Sequence, residues 1–184
     1  MAVDLLEGDQ RATANLRLNK QGLVPTLEID ALILTQSLTI LEYLEETRGP
    51  LILPPDAAGR ARVRAMADAI AMEIAPVCNL YERKHVVVLS AGAMTAIDWQ
   101  RHYLTRGFVG LEAMLGDGKA GLYCHGDNIS LADLTLIPQV YNAQRVGVDM
   151  AGSPRLAEIA ARLEKVPAVA AAHPDLFRPA RGPF

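Results

Sequence analysis

The chain has 184 residues, with 18 Lys plus Arg against 21 Asp plus Glu and a net charge of −3. At roughly 100–200 residues per domain this is one domain or two small ones, and a composition 51% hydrophobic and 21% charged excludes global disorder. The mild negative charge gives no footprint for nucleic acid, no apolar run reaches the roughly 18 residues of a membrane span, and two cysteines build no disulfide framework, which points to a reducing, cytoplasmic setting.

The start, Met1 to Asp9, lacks a basic region and an apolar stretch, so no signal peptide is expected. Ala2–Leu6 reads as a weak strand. Gln10–Arg17 reads as a short helix that Asp9 can cap, and Asn19–Gly22 as a turn. Thr26–Ile29 and Leu32–Leu34 are short strands joined by Asp30-Ala31. A two-residue connection predicts an antiparallel hairpin, although Asp-Ala suits a type I′ turn less well than Asp-Gly. Ser37–Arg48 is then a helix: Leu38, Leu41, Tyr43 and Leu44 recur at helical spacing, and Ser37 is its natural cap. Gly49-Pro-Leu-Ile-Leu-Pro-Pro55 cannot continue a helix and reads as a linker. Charge changes here too. Residues 1–54 carry four basic and eight acidic side chains, and residues 55–184 carry fourteen and thirteen. The organisation expected is a mixed α/β domain over 1–48, a linker over 49–55 and an all-helical domain over 56–184.

The second part is helical throughout. Asp56 opens a long helix through Val63, Met66, Ile70 and Ile74, which Pro76 ends or kinks, and a continuation runs to about Leu89. Thr95–Leu115 is a second long helix, stopped at Gly116-Asp-Gly118. Leu131–Val146 is a third, and Arg155–Lys165 a fourth, with Pro154 at its start. A short piece, Ala168–Ala172, precedes a Pro-rich tail. Ser130-Leu-Ala-Asp133 is a capping box with Asp in place of Glu, a folding feature rather than a catalytic one. The four histidines show no metal-ligand spacing, so no metal is expected. Cys78 and Cys124 read as small buried hydrophobes.

The sharpest motif is Gly22-Leu-Val-Pro-Thr-Leu27, followed after the hairpin by Gln36-Ser37. A proline directly before a strand suits a cis bond, which would leave the Val24 backbone open to pair with an extended peptide. Gln36-Ser37 sits at a strand-to-helix junction, where free N–H groups and the positive end of the helix dipole favour a carboxylate. Together they make a site for a small peptide with an α-carboxylate. The same residues also make an ordinary proline turn and an ordinary Ser cap, and spacing alone leaves both open.

Val24-Pro-Thr-Leu27, the hairpin and Gln36-Ser-Leu-Thr-Ile-Leu-Glu-Tyr-Leu-Glu-Glu-Thr47 resemble the glutathione-binding half of a glutathione transferase, more narrowly the zeta class of maleylacetoacetate and maleylpyruvate isomerases. Thr105-Arg-Gly-Phe-Val-Gly-Leu-Glu112, Tyr123-Cys-His-Gly-Asp-Asn-Ile-Ser-Leu-Ala-Asp-Leu134 and Pro138-Gln-Val-Tyr-Asn-Ala-Gln-Arg145 resemble later family segments in colinear order. The resemblance implies a thioredoxin-like α/β domain joined to an all-α domain, with glutathione as the cofactor. It implies that Gln36 and Ser37 hold the γ-glutamyl end, with Gln21 nearby. Val24, ahead of a cis bond to Pro25, would pair with the cysteinyl unit. It implies that Arg145 anchors a carboxylate of a small maleyl dicarboxylate, a task suited to a guanidinium. Asn79 matches the family's Pro-Leu-Asn-Asn-Leu-Arg or Pro-Leu-Gln-Asn-Leu segment, here Pro76-Val-Cys-Asn-Leu-Tyr81. Cys78 there replaces a ligand-reaching amide, and Tyr81 replaces a frequent arginine. The implied reaction is glutathione-dependent cis–trans isomerisation in aromatic catabolism, by a homodimer. A general transferase for electrophiles and a non-catalytic glutathione binder or scaffold are the alternatives.

Against this family the α/β domain reads as incomplete, its first strand and helix absent, because Ala2–Leu6 resembles the second strand. No Ser precedes Ser37, so the serine motif that stabilises the thiolate has no counterpart and no catalytic residue is assigned. A start placed too late is the reading this favours; a true truncation or a strand from another chain are its competitors.

Overall fold

The computed structural model describes residues 3–49 and 52–177. It divides into two compact units, with the boundary between Leu53 and Pro54.

In the first unit a 3₁₀ turn at Asp9–Arg11 precedes α1 (Thr13–Leu18). The antiparallel hairpin of β1 (Thr26–Ile29) and β2 (Leu32–Thr35) follows, in register Thr26 with Thr35 and Ile29 with Leu32. α2 (Ser37–Arg48) closes the unit. The expected strand at Ala2–Leu6 does not form: Ala2 lies outside the described residues, and Leu5 and Leu6 lie in a turn. Asp4 is the reason. Its carboxylate accepts from the Leu6 N–H at 2.9 Å, and its carbonyl accepts from the Asp9 N–H at 3.0 Å. A short acidic side chain here offers the backbone a local alternative to a ladder. Nor does Asp9 cap a helix at Gln10. α1 starts later, with Ala12 at its N-cap and no side-chain cap, while the Asp9 carboxylate accepts from the Asp4 N–H.

The hairpin turn takes left-handed conformations at both central residues, Asp30 at φ 50° and Ala31 at φ 60°, as a type I′ turn requires. Tertiary contacts hold this Asp-Ala pair in place. The Asp30 carboxylate accepts from Tyr43 Oη at 2.6 Å and from Arg48 Nη2 at 2.7 Å, both on α2. Both donors lower the Asp30 pKa, the tyrosine hydroxyl most.

The second unit is helical. α3 (Ala57–Asp68) is N-capped by Asp56, which accepts from the Gly59 N–H at 2.8 Å. Before Pro76 the helix loosens into a π turn over Ala69–Ile74 and then a 3₁₀ turn over Pro76–Cys78. α4 (Leu80–Leu89) and α5 (Ala96–Met114) follow, with Thr95 capping α5 through the Asp98 N–H. Then come α6 (Leu131–Val146), α7 (Pro154–Leu163) and the short α8 (Pro167–Ala171). α7 shows why these helices pack: Leu156, Ile159, Ala160 and Leu163 are its buried residues, spaced as one apolar stripe. Phe108, Leu104 and Leu111 of α5 and Leu136 of α6 are almost wholly buried. α3 and α5 both pack against α6.

The capping box of α6 is present. Asp133, fully buried, accepts from the Ser130 N–H at 2.8 Å, the Ser130 hydroxyl at 2.6 Å and the Cys124 N–H at 2.9 Å. It therefore fixes the start of α6 and ties the preceding loop to it. Next to this loop, Arg62 of α3 forks onto Asp117 at 2.6 and 2.9 Å and donates to the Cys124 carbonyl at 2.6 Å.

Candidate functional site

The first unit builds a polar corner at the N-terminus of α2. The helix starts at Ser37, and its N-cap is Gln36, not Ser37; no side chain caps it. The first intrahelical bond of this end is Ile40 N–H to the Gln36 carbonyl. The Ser37, Leu38 and Thr39 N–H groups precede it, where helices leave donors for an external acceptor. Gln36 has φ 70°, a left-handed value that a glutamine adopts only when its surroundings impose it. Its Nε2 donates to Gln21 Oε1 at 3.1 Å.

Gln21 reaches this point because Asn19 shapes the loop before it. Asn19 is buried, its Nδ2 donates to the Leu23 carbonyl at 3.0 Å, and its Oδ1 accepts from the Gln21 N–H at 3.0 Å. The Val24–Pro25 peptide is cis, and Val24 is 42% exposed. Two exposed amide side chains, the exposed Val24 and an uncapped helix start fit a small peptide bearing a carboxylate. The carboxylate suits the α2 N–H groups and the positive end of the dipole. Sequence reasoning named Gln21, Val24, Pro25, Gln36 and Ser37 but not Asn19, which resembled an ordinary turn residue.

The second unit holds Asn79 and Arg145. Asn79 is exposed and N-caps α4 without a side-chain cap bond. Arg145 lies in the last turn of α6, a favourable place for a cation, with its guanidinium 5.6 Å from the Tyr141 ring centroid. Arg83 of α4 donates from Nη1 to Gln100 Oε1 of α5 at 2.7 Å, a tie that Tyr81-Glu-Arg-Lys-His85, with the look of a solvated helical face, does not show.

The cysteines are buried and free. Burial pushes the Cys78 thiol up to about 11, with Arg83 opposing it weakly. Burial raises Cys124 still further, and the Asp133 charge adds to the rise. Both thiols are protonated at neutral pH and poor nucleophiles. Among the described residues, no three His, Cys, Asp or Glu side chains come together to hold a metal ion, and no helix is long and apolar enough to cross a membrane.

Residues 1–51 match the glutathione S-transferase N-terminal domain family, and fold and polar corner together are those of a glutathione S-transferase. The maleylacetoacetate isomerase of Rhizobium meliloti (strain 1021) is 45% identical over 179 residues, spanning 96% of this chain and 84% of that protein. A holo structure of a maleyl pyruvate isomerase, described as a bacterial zeta-class glutathione S-transferase, superposes with a TM-score of 0.91 at 35% identity, covering 99% of this chain and 87% of that one. The maleylacetoacetate isomerase of Methylobacterium extorquens AM1, bound to malonate and glutathione, gives 0.90 at 35% identity, covering 99% and 86%. The chain belongs to the maleylacetoacetate isomerase family of zeta-class glutathione transferases.

Proposed function

We propose that this chain binds glutathione at the N-terminus of α2 and isomerises the cis double bond of a maleyl dicarboxylate, maleylacetoacetate or maleylpyruvate, to its trans form. The observation that carries the reading is the uncapped α2 start with Gln36 hydrogen-bonded to Gln21. The Ser37–Thr39 N–H groups take the γ-glutamyl carboxylate, and Gln36, Ser37 and Gln21 orient the amine and amide around it. Val24 pairs through its backbone with the cysteinyl unit, ahead of Pro25. Arg145 anchors a substrate carboxylate as a bidentate partner, and Asn79 supplies an amide from the start of α4. Held by these residues, glutathione would supply the thiol chemistry for reversible addition to the conjugated alkene, after which rotation about a single bond gives the trans form. The buried, protonated Cys78 and Cys124 take no nucleophilic part. The binding domain is placed at 1–48, the linker at 49–55 and the substrate domain at 56–184.

The test pairs calorimetry with assays on maleylacetoacetate, maleylpyruvate and a chloro-aromatic electrophile. Glutathione binding with turnover of a maleyl substrate is expected. Turnover of the aromatic alone would overturn the isomerase reading, and glutathione binding without any turnover would make the chain a binder. The resemblance supports a homodimer and the two free thiols support a cytoplasmic setting; light scattering on the purified chain tests the first.

A further inference from the structure

The second unit holds a cavity of about 310 Å³ that none of the proposed glutathione or substrate residues lines. Its buried lining is apolar: Leu115 and Ile159 are each 2% exposed. One side is the 3₁₀ turn Leu115–Asp117 and the loop after it, where Gly116, Gly118 and Gly121 bring backbone but no side chain to the cavity. The other side is α7, through Arg155, Glu158 and Arg162, which lie at i, i+3 and i+7 on one helix face. The lining therefore carries two arginines against one glutamate.

That glutamate serves one arginine only. Arg162 Nη2 donates to Glu158 at 3.3 Å, and its Nη1 donates to the Leu122 carbonyl at 3.2 Å. Arg155 is as near to Glu158 in sequence, yet its guanidinium turns to the glycine side instead. A Cβ at Gly116 would lie 3.4 Å from Arg155 Nη1. Among the described residues the Arg155 guanidinium makes no hydrogen bond or ion pair. The start of α7 is not open in the same way, because the Glu112 carboxylate accepts from the Arg155 and Leu156 N–H groups at 3.2 and 3.0 Å. The open donor at this cavity is thus a side-chain fork beside an apolar base, the combination by which ligand sites orient a small molecule.

We infer that this cavity is a second binding site, for a small oxyanion, a carboxylate or a phosphate, carried on a compact apolar body. Arg155 takes the oxyanion as a two-pronged donor, and the body covers Leu115 and Ile159. The volume stands at the low end of the roughly 300–1,000 Å³ of ligand sites, which fits a body of a single ring. The inference rests on neither glutathione binding nor the isomerase reading, and failure of that reading leaves the following titrations unchanged.

Benzoate, phenyl phosphate, inorganic phosphate and benzyl alcohol are titrated calorimetrically into the full chain, for wild type, Arg155→Gln, Arg155→Lys, Gly116→Leu and Arg145→Gln. Wild type is expected to bind benzoate or phenyl phosphate, and the tighter of the two names the oxyanion. Benzyl alcohol, without the charge, and inorganic phosphate, without the ring, should bind at least about tenfold more weakly. Arg155→Gln should weaken the ring-bearing anion by about tenfold, the loss of a charge-assisted contact, and Arg155→Lys should recover only part, since an ammonium cannot present the fork. Gly116→Leu places a side chain at the cavity where only the flexible end of Arg155 is near, so it should abolish binding with the melting temperature unchanged. Arg145→Gln should bind as wild type does. Binding of neither ring-bearing anion overturns the inference, as does benzyl alcohol binding equal to that of the anions. Affinity retained in Arg155→Gln or in Gly116→Leu overturns it too, and affinity lost in Arg145→Gln but kept in Arg155→Gln would assign the anion to the substrate site instead.

Discussion

Replacing Asp133 with Ala tests whether one buried carboxylate organises the helical unit. Asp133 has no exposed surface and takes three hydrogen bonds, from the Ser130 N–H, the Ser130 hydroxyl and the Cys124 N–H. Alanine leaves two backbone N–H groups without an acceptor. The Ser130 hydroxyl can rotate toward another acceptor, but a backbone N–H cannot. At about 1–3 kcal/mol for each stranded buried donor, the expected loss is about 2–6 kcal/mol. That is a large share of the roughly 5–15 kcal/mol by which domains are stable. Ser130→Ala removes only the hydroxyl arm and should cost about 0.5–2 kcal/mol, the usual worth of a cap. Asp133→Asn keeps one acceptor oxygen and turns an NH₂ toward donors, so it should fall between them. Urea unfolding followed by the α-helical circular dichroism signal and by Trp99 fluorescence measures all three. Coincidence of the two probes tests whether this unit unfolds as one transition. A loss below about 1 kcal/mol for Asp133→Ala, or equal losses for Ser130→Ala and Asp133→Ala, would refute the reasoning.

Other expectations follow from single contacts. The Arg62 fork holds the Asp117 pKa down to about 2 from 3.8, so the pair's contribution is present above pH 3.8 and is lost as pH falls through about 2. Asp117 is 44% exposed, so screening limits its worth to about 1 kcal/mol. The stability gap between wild type and Asp117→Asn should close across that window, and a gap constant with pH would contradict the assignment. With the Cys78 thiol pushed up to about 11, native thiol labelling at pH 8 should run on the order of a hundredfold slower than in denaturant; rapid labelling of one native thiol would contradict it. Ala31→Gly relieves a left-handed alanine and should stabilise the first unit by about 0.5–1 kcal/mol, read as a higher melting temperature, whereas no change would mean the turn is unstrained. A Cβ at Gly107 would collide with the Ile74 side chain, so Gly107→Ala should cost about 1–3 kcal/mol in urea unfolding, and a neutral result would mean that the π turn yields.

Much of the fold was legible because its signals are local. Apolar spacing and Pro154 located α7, and Ser130 with Asp133 located the start of α6. The hairpin followed from two short apolar runs and a two-residue gap. The errors have two causes. Ala2–Leu6 has strand-like composition, but Asp4 folds its own neighbours into a turn. Ser37 is a good cap residue by type, yet the chain enters α2 through Gln36 at φ 70°. Side-chain competition and imposed backbone conformation both override residue preference. The π turn at Ala69–Ile74 left no mark in the spacing either, since it alters the hydrogen bonds without changing which residues are apolar.

The candidate glutathione corner sits on one turn and one helix start, Gln21 to Ser37, and so it could be read as a motif. In the second unit, Arg83 on α4 is tied to the buried Gln100 on α5. No spacing within one segment encodes that tie, and a charged run such as Tyr81 to His85 reads as solvated until burial of one nitrogen is seen. A helix end that holds a carboxylate through backbone N–H groups tolerates changes of side chain, whereas a hydrogen bond between two helices depends on both of the residues that make it.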